Sequence, residues 1–142
     1  MLKVKIKKLY PGVKLPNYAH SGDAGMDLYS LEDKELKPGQ RYNFMIGFAL
    51  EFPAEYVAIV KDKGGPSNKY GLHTMGGVFD SSYRGEYNVE LINLSQEAYT
   101  VKKGDKLAQL VILPVERAEL EEVDELEESS RGDGRFGSTG IK

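Results

Sequence analysis

The residues able to do chemistry fall in a few glycine-containing stretches. In AHSGDAGMDLYS, residues 19–30, Asp23 and Asp27 stand four apart around Ala24-Gly25, just before an apolar run. On its own that spacing reads as an Asx-type turn entering a strand. In GGVFDSSYRGEY, residues 76–87, Asp80 and Tyr83 lie beside an expected hairpin tip at Arg84-Gly85. KKGDKLAQL, residues 102–110, is a turn leading into a strand that carries Gln109. RGDGRFGSTG, residues 131–140, embeds Arg131, Phe136 and the Ser138-Thr139 pair among glycines. Such a tail is commonly a disordered end; a cation, an aromatic ring and hydroxyls on a glycine hinge also suit a lid over an aromatic polyphosphate.

Composition narrows what these groups can do. There is no cysteine, which removes disulfides, thiolate nucleophiles, iron–sulfur clusters and cysteine-ligated zinc. Two histidines, His20 and His73, are too few for a multi-imidazole metal site, and each reads as a turn or surface residue. Any hydrolysis must therefore use carboxylates, a metal carried by the substrate, or both. The net charge of −3 is uneven, because residues 116–128 hold seven Glu and Asp124 against Arg117. The remainder is mildly cationic, which suits a small polyanion, while its scattered Lys and Arg argue against a nucleic-acid surface.

The elements that must position these residues are short strands. Alternation at Val4 and Ile6 against Lys3, Lys5 and Lys7 predicts a strand with one wet face. Segments 42–52, 56–61, 88–94 and 106–115 are rich in Val, Ile, Tyr and Phe and read as further strands. Turn signals separate them at Pro11-Gly12, Pro38-Gly39, Gly64-Gly65-Pro66, Gly76-Gly77 and Lys103-Gly104-Asp105. With 142 residues, 16 of them glycine, the chain fits one all-β domain of jelly-roll type. Residues 116–128 repeat Leu120, Val123 and Leu126 every three positions without a cap, and are read as an extended acidic connector. The expected division is a β body over 1–128 and a mobile arm over 129–142. No stretch approaches the roughly 20 apolar residues of a membrane span, and the N-terminus lacks the apolar core of a secretory leader, so a cytoplasmic location is expected.

In this order and spacing, the stretches resemble the motifs of the trimeric all-β dUTP pyrophosphatases (dUTPases) over residues 17–140. The resemblance implies a distorted jelly roll, a homotrimer with active sites shared among subunits, and an arm exchanged onto a neighbour. It implies hydrolysis of dUTP to dUMP and pyrophosphate, limiting uracil in DNA and supplying dUMP for dTMP synthesis. Asp80 would activate the water that attacks the α-phosphorus. Tyr83 would pack under the deoxyribose, and backbone groups near Gly77 and Asn88 would read the uracil edge. Gln109 and Arg131 would hold phosphates, Phe136 would stack on the base, and Gly137, Ser138 and Thr139 would close on the γ-phosphate. Asp27 would support the metal shell or Arg131. Mg²⁺ would arrive mainly on the triphosphate, with no protein metal site of its own.

Three departures from the family pattern stand out. In DKGGPSNKYGL, residues 62–72, Lys63 replaces a phosphate-binding Arg and Gly64 replaces a Ser, leaving the amides of Gly64 and Gly65 as donors. Arg135 stands where the fifth motif has Gly. Glu90 occupies the offset at which related dCTP deaminases carry their acid/base, although it also reads as a strand residue on the polar face with Val89 and Leu91 inward. The alternatives are thus a bifunctional dCTP deaminase/dUTPase, or a dUTP-binding regulatory homologue with weak hydrolysis.

Overall fold

The structure is a computed structural model that describes residues 1–140; Ile141 and Lys142, the end of the expected arm, lie outside the described residues. Eleven strands run in chain order: β1 (Lys5–Lys8), β2 (Met26–Tyr29), β3 (Lys34–Leu36), β4 (Arg41–Met45), β5 (Phe48–Glu51), β6 (Tyr56–Lys61), β7 (Leu72–Met75), β8 (Val78–Phe79), β9 (Asn88–Asn93), β10 (Tyr99–Val101) and β11 (Lys106–Pro114). Among the described residues a single π-helical turn, Gly65–Lys69, interrupts them. All pairings are antiparallel. The sheets are β2-β11-β6-β8, β4-β9-β7, β1-β5 and β10-β3, forming the distorted jelly roll expected from the sequence.

Alternation along β9 shows why these segments are strands: Val89, Leu91 and Asn93 are buried while Glu90 and Ile92 face outward. Phe44, Phe48, Leu28, Leu36 and Leu110 complete one core between the sheets. Two expectations change. The predicted strand over 42–52 is broken into β4 and β5 at Gly47, whose φ of +79° and close approach to Val13 and Leu31 favour a residue without Cβ. The expected hairpin at Arg84-Gly85 is instead a crossing between sheets, since β8 pairs with β6 while β9 pairs with β4 and β7. The crossing is anchored by Glu86, which accepts from the Tyr10 hydroxyl (2.6 Å) and the Gly47 amide (3.0 Å).

β1 is exposed along its whole length and pairs only with β5, so the wet-face alternation there is shallow. Beyond β11, residues 116–128 adopt no helix, and Leu120 and Leu126 are exposed. The run of carboxylates explains this, because like charges at helical spacing repel while apolar residues every three positions make no continuous stripe.

Candidate functional site

The strand ladder brings three sequence-predicted residues together. On β11, Gln109 lies opposite Asp27 of β2 on one side and Lys61 of β6 on the other. Lys63, two residues past the end of β6, reaches Asp27 Oδ1 at 2.7 Å, and Lys106 Nζ lies 2.8 Å from Oδ2. The Lys106 contact is a charge pairing without an aligned hydrogen bond, which leaves Oδ2 otherwise unpartnered. Burial pushes the Asp27 carboxyl up, but the two lysines outweigh it and hold it below its ordinary value. Asp27, expected to serve a metal shell or Arg131, is thus occupied by lysines of its own chain.

Gln109 is held by two features. Its Nε2 donates to the backbone carbonyl of Asp62 at 2.8 Å, and its side chain lies across Gly25, where any Cβ would collide with it. Gly25 is therefore part of the site although its φ imposes no need for glycine. Gly64 and Gly65 lead into the π-helical turn, and a Cβ on Gly64 would meet nothing closer than Asn68 Nδ2 at 3.8 Å.

Asp80 and Tyr83 form a second group on the crossing between β8 and β9. Asp80 is exposed and borders an open cleft of about 480 Å³ with Ser81, Ser82, Tyr56 and Arg117. The Tyr83 hydroxyl donates to Glu86 O at 2.9 Å, and its ring packs against Phe79 (5.8 Å between centroids) and Tyr87 (6.0 Å). Gly85 permits this placement, because a side chain there would strike the Tyr83 ring. Gly77 combines φ +104° with a close approach to Val60 O, and its own carbonyl accepts from Val60 N at 2.8 Å. Asn88 donates to Asn43 Oδ1 at 2.6 Å, and Glu90 on the same strand stands 3.9 Å from Arg41.

The two groups sit at opposite ends of β6. Pairing of Ala58 with Phe79 puts Asp80 beside Val57, whereas Gln109 is level with Lys61. At about 3.3 Å per residue they are roughly 13 Å apart along the strand, and Asp27 lies three strands across from β8 at about 4.8 Å each. The arm forms a third group: Arg131 Nε donates to Gly134 O at 2.7 Å, Arg135 lies over the Phe136 ring at 5.6 Å, and Phe136 is fully exposed. Ser138 donates its amide to Arg135 O, and Gly137 and Thr139 continue the same turns.

Sequence reasoning missed Asp62, His73, Thr74, Lys106 and Gly25. His73, given no role, has Nδ1 2.6 Å from Asp62 Oδ2. Asp62, Lys106 and Gly25 sat inside stretches already singled out, whereas His73 and Thr74 lie outside them and reach Asp62 only where β7 of one sheet comes against the end of β6 of another. Among the described residues no cluster of three His, Asp or Glu could hold a metal ion.

The jelly roll thus presents a lysine-rich sheet end, a separate carboxylate–tyrosine crossing and a glycine-rich arm. The dUTPase family profile matches residues 12–140. The deoxyuridine 5'-triphosphate nucleotidohydrolase of Clostridium tetani is 44% identical, with 96% of each chain covered. That of Thermobifida fusca is 46% identical over 98% of this chain and 79% of its own. Among solved structures, the Staphylococcus bacteriophage 80alpha dUTPase with dUPNHPP superposes with a TM-score of 0.90 at 28% identity, covering 98% of this chain and 99% of the other. The chain belongs to the dUTPase family.

Proposed function

We propose that this chain hydrolyses dUTP to dUMP and pyrophosphate by attack of water on the α-phosphorus, in sites completed between copies of the chain. The observation that carries this is the separation of Asp80 and Tyr83 from Lys63 and Gln109 along β6. A reacting water and its phosphorus must approach to about 3–3.5 Å, and this separation supports a site whose base and phosphate ligands come from different chains. A homotrimer with the arm laid across a neighbour satisfies this, with the body over 1–128 and the arm over 129–142 as its functional parts.

In such a site Asp80 takes the proton of the attacking water as oxygen bonds to the α-phosphorus, and the bond to the bridging oxygen breaks to release pyrophosphate. Tyr83, fixed by Glu86 and Phe79, underlies the deoxyribose and rejects a 2′-hydroxyl. Main-chain groups around Gly77 and Asn88 read the uracil edge. Lys63, Gln109, Arg131 and the amides at Gly64 and Gly65 hold phosphates, while Phe136, Gly137, Ser138 and Thr139 close the site. A structure of a phage phi11 dUTPase is described by its coordination of a structural Mg(II) ion. The donors of this chain suit Mg²⁺ carried by the triphosphate, since it keeps waters and phosphate oxygens with one or two carboxylates at most. Bound there it would neutralise phosphate charge. No helix among the described residues is long and apolar enough to cross a membrane, and we place the enzyme in the cytoplasm.

Mixing two inactive variants tests the assembly. Asp80→Asn and the double variant Lys63→Ala/Gln109→Ala are co-refolded at equal amounts and assayed for pyrophosphate release from dUTP. Random assortment across an interface between unlike surfaces restores about a quarter of the sites. Mixed oligomers seen by native mass spectrometry without recovered turnover would overturn the shared site.

A further inference from the structure

The geometry points to Asp62 as a positioning residue that sets both Lys63 and Gln109, an inference that rests on the phosphate roles proposed above. Asp62 follows the last residue of β6, where the ladder ends and the main chain turns towards Gly64. Its side chain takes over from the ladder. Oδ1 accepts from the Thr74 amide at 2.6 Å and the Thr74 hydroxyl at 2.7 Å, tying the turn to β7. Oδ2 lies 2.6 Å from His73 Nδ1 and accepts a long contact from Ser67 Oγ at 3.5 Å, which binds the π-helical turn to the same point. The carbonyl of Asp62 then accepts from Gln109 Nε2.

One residue therefore controls two phosphate ligands by different routes, Lys63 through the adjoining peptide and Gln109 through a hydrogen bond. A carboxylate close to a polyanion site would ordinarily repel the ligand. Here its carboxylate oxygens are engaged by Thr74, His73 and Ser67, while Gln109 bonds to its main-chain carbonyl. Burial would raise the Asp62 carboxyl, but the bonds from Thr74 and His73 outweigh it and keep it below its ordinary value, so it stays ionised and bonded near neutrality. Its contribution is geometric, since the negative charge itself works against phosphate binding.

The test measures binding of magnesium pyrophosphate and of deoxyuridine separately by calorimetry, with KM and kcat for dUTP, in Asp62→Ala, Asp62→Asn and Thr74→Val. Asp62→Ala should weaken pyrophosphate about tenfold, the equivalent of one charge-assisted hydrogen bond, and raise KM alike. Deoxyuridine affinity should hold. Asp62→Asn, whose oxygen still accepts from Thr74, should recover most of the loss. Thr74→Val should move pyrophosphate affinity in the same direction by less, and it decides the question if Asp62→Ala fails to fold. Unchanged pyrophosphate affinity, a parallel loss for deoxyuridine, or an Asn variant as weak as Ala would each overturn the assignment. A wild-type chain that binds pyrophosphate but leaves dUTP intact would defeat the hydrolase reading alone, because the positioning role is read from pyrophosphate.

Discussion

Lys63 Nζ stands 2.7 Å from Oδ1 of the buried Asp27, so the cation proposed to hold phosphate is anchored by a carboxylate two strands away. The pair restricts a flexible lysine to one approach. Asp27→Asn would leave Lys63 and Lys106 facing an uncharged amide. Removing one partner of a buried pair costs about 3–5 kcal/mol, and the partial exposure of both lysine ends lowers this to roughly 1–3 kcal/mol. Urea unfolding of the two proteins should show a lower midpoint with an unchanged m value.

The same pair sets an acid limit. The Asp27 carboxyl is lower in the folded state than its ordinary 3.8. Its stabilisation is therefore complete above that value and lost as the pH falls through the lower folded one. Between pH 5 and pH 2, wild-type stability should fall more steeply than that of Asp27→Asn, and the two curves should converge at the acid end. Parallel curves would show that Asp27 is not the group responsible.

Gly25 and Gly77 should respond differently to alanine. At Gly25 a Cβ strikes first the amide end of the Gln109 side chain, which can swing aside and leave the Asp62 carbonyl, and then Gln109 Cβ at 3.0 Å, which yields only with a small backbone shift. Gly25→Ala should raise KM for dUTP severalfold and lower Tm by less than Gly77→Ala does. At Gly77 a Cβ would stand 2.7 Å from the Val60 carbonyl, on a backbone with φ +104°. Gly77→Ala should cost about 1–3 kcal/mol or more from backbone strain, seen directly in thermal unfolding.

The sequence made the body legible where side chains alternate and turns carry glycine, as in β6, β9 and β11. It failed at 80–87, because turn chemistry at Arg84-Gly85 suits a hairpin, while the partners of β8 and β9 are chosen by remote segments. The candidate residues were visible as stretches, but not their grouping. That Asp27, Lys63 and Gln109 converge while Asp80 stands apart follows from strand register, which local spacing does not encode. The Asp62 cluster was invisible for a different reason, joining residues eleven and twelve positions apart by side-chain bonds between two separate sheets.

Gly64 offers a test of the altered second stretch. Its φ of −53° is open to any residue, and a Cβ there would meet only ordinary contact with Asn68 Nδ2 at 3.8 Å. Gly64→Ser should therefore keep or slightly raise stability, by up to about 1 kcal/mol through a less flexible unfolded chain. Single-turnover assays would read whether the added hydroxyl speeds phosphoryl transfer. A drop in Tm of several degrees would show that the turn cannot accept a side chain.

Asp80→Asn decides whether the exposed carboxylate of the crossing is the base. Asparagine keeps shape and hydrogen bonding but cannot take a proton from the attacking water. General-base catalysis is worth about 10²–10⁴-fold, and kcat should fall by that order while the Kd for a non-hydrolysable dUTP analogue changes little. Glu90→Gln is the paired measurement. Glu90 lies on β9 opposite Asn43 and 3.9 Å from Arg41, an arrangement that suits a strand ion pair rather than an acid/base. Its substitution should leave dUTP hydrolysis unaltered, and neither the variant nor the wild type should release ammonia from dCTP. Ammonia released by the wild type and lost in Glu90→Gln would make the chain a bifunctional deaminase. Full turnover in Asp80→Asn would remove Asp80 from the mechanism and assign the base to another group, whereas a wild type that binds the analogue but scarcely hydrolyses dUTP would be a nucleotide-binding regulatory homologue.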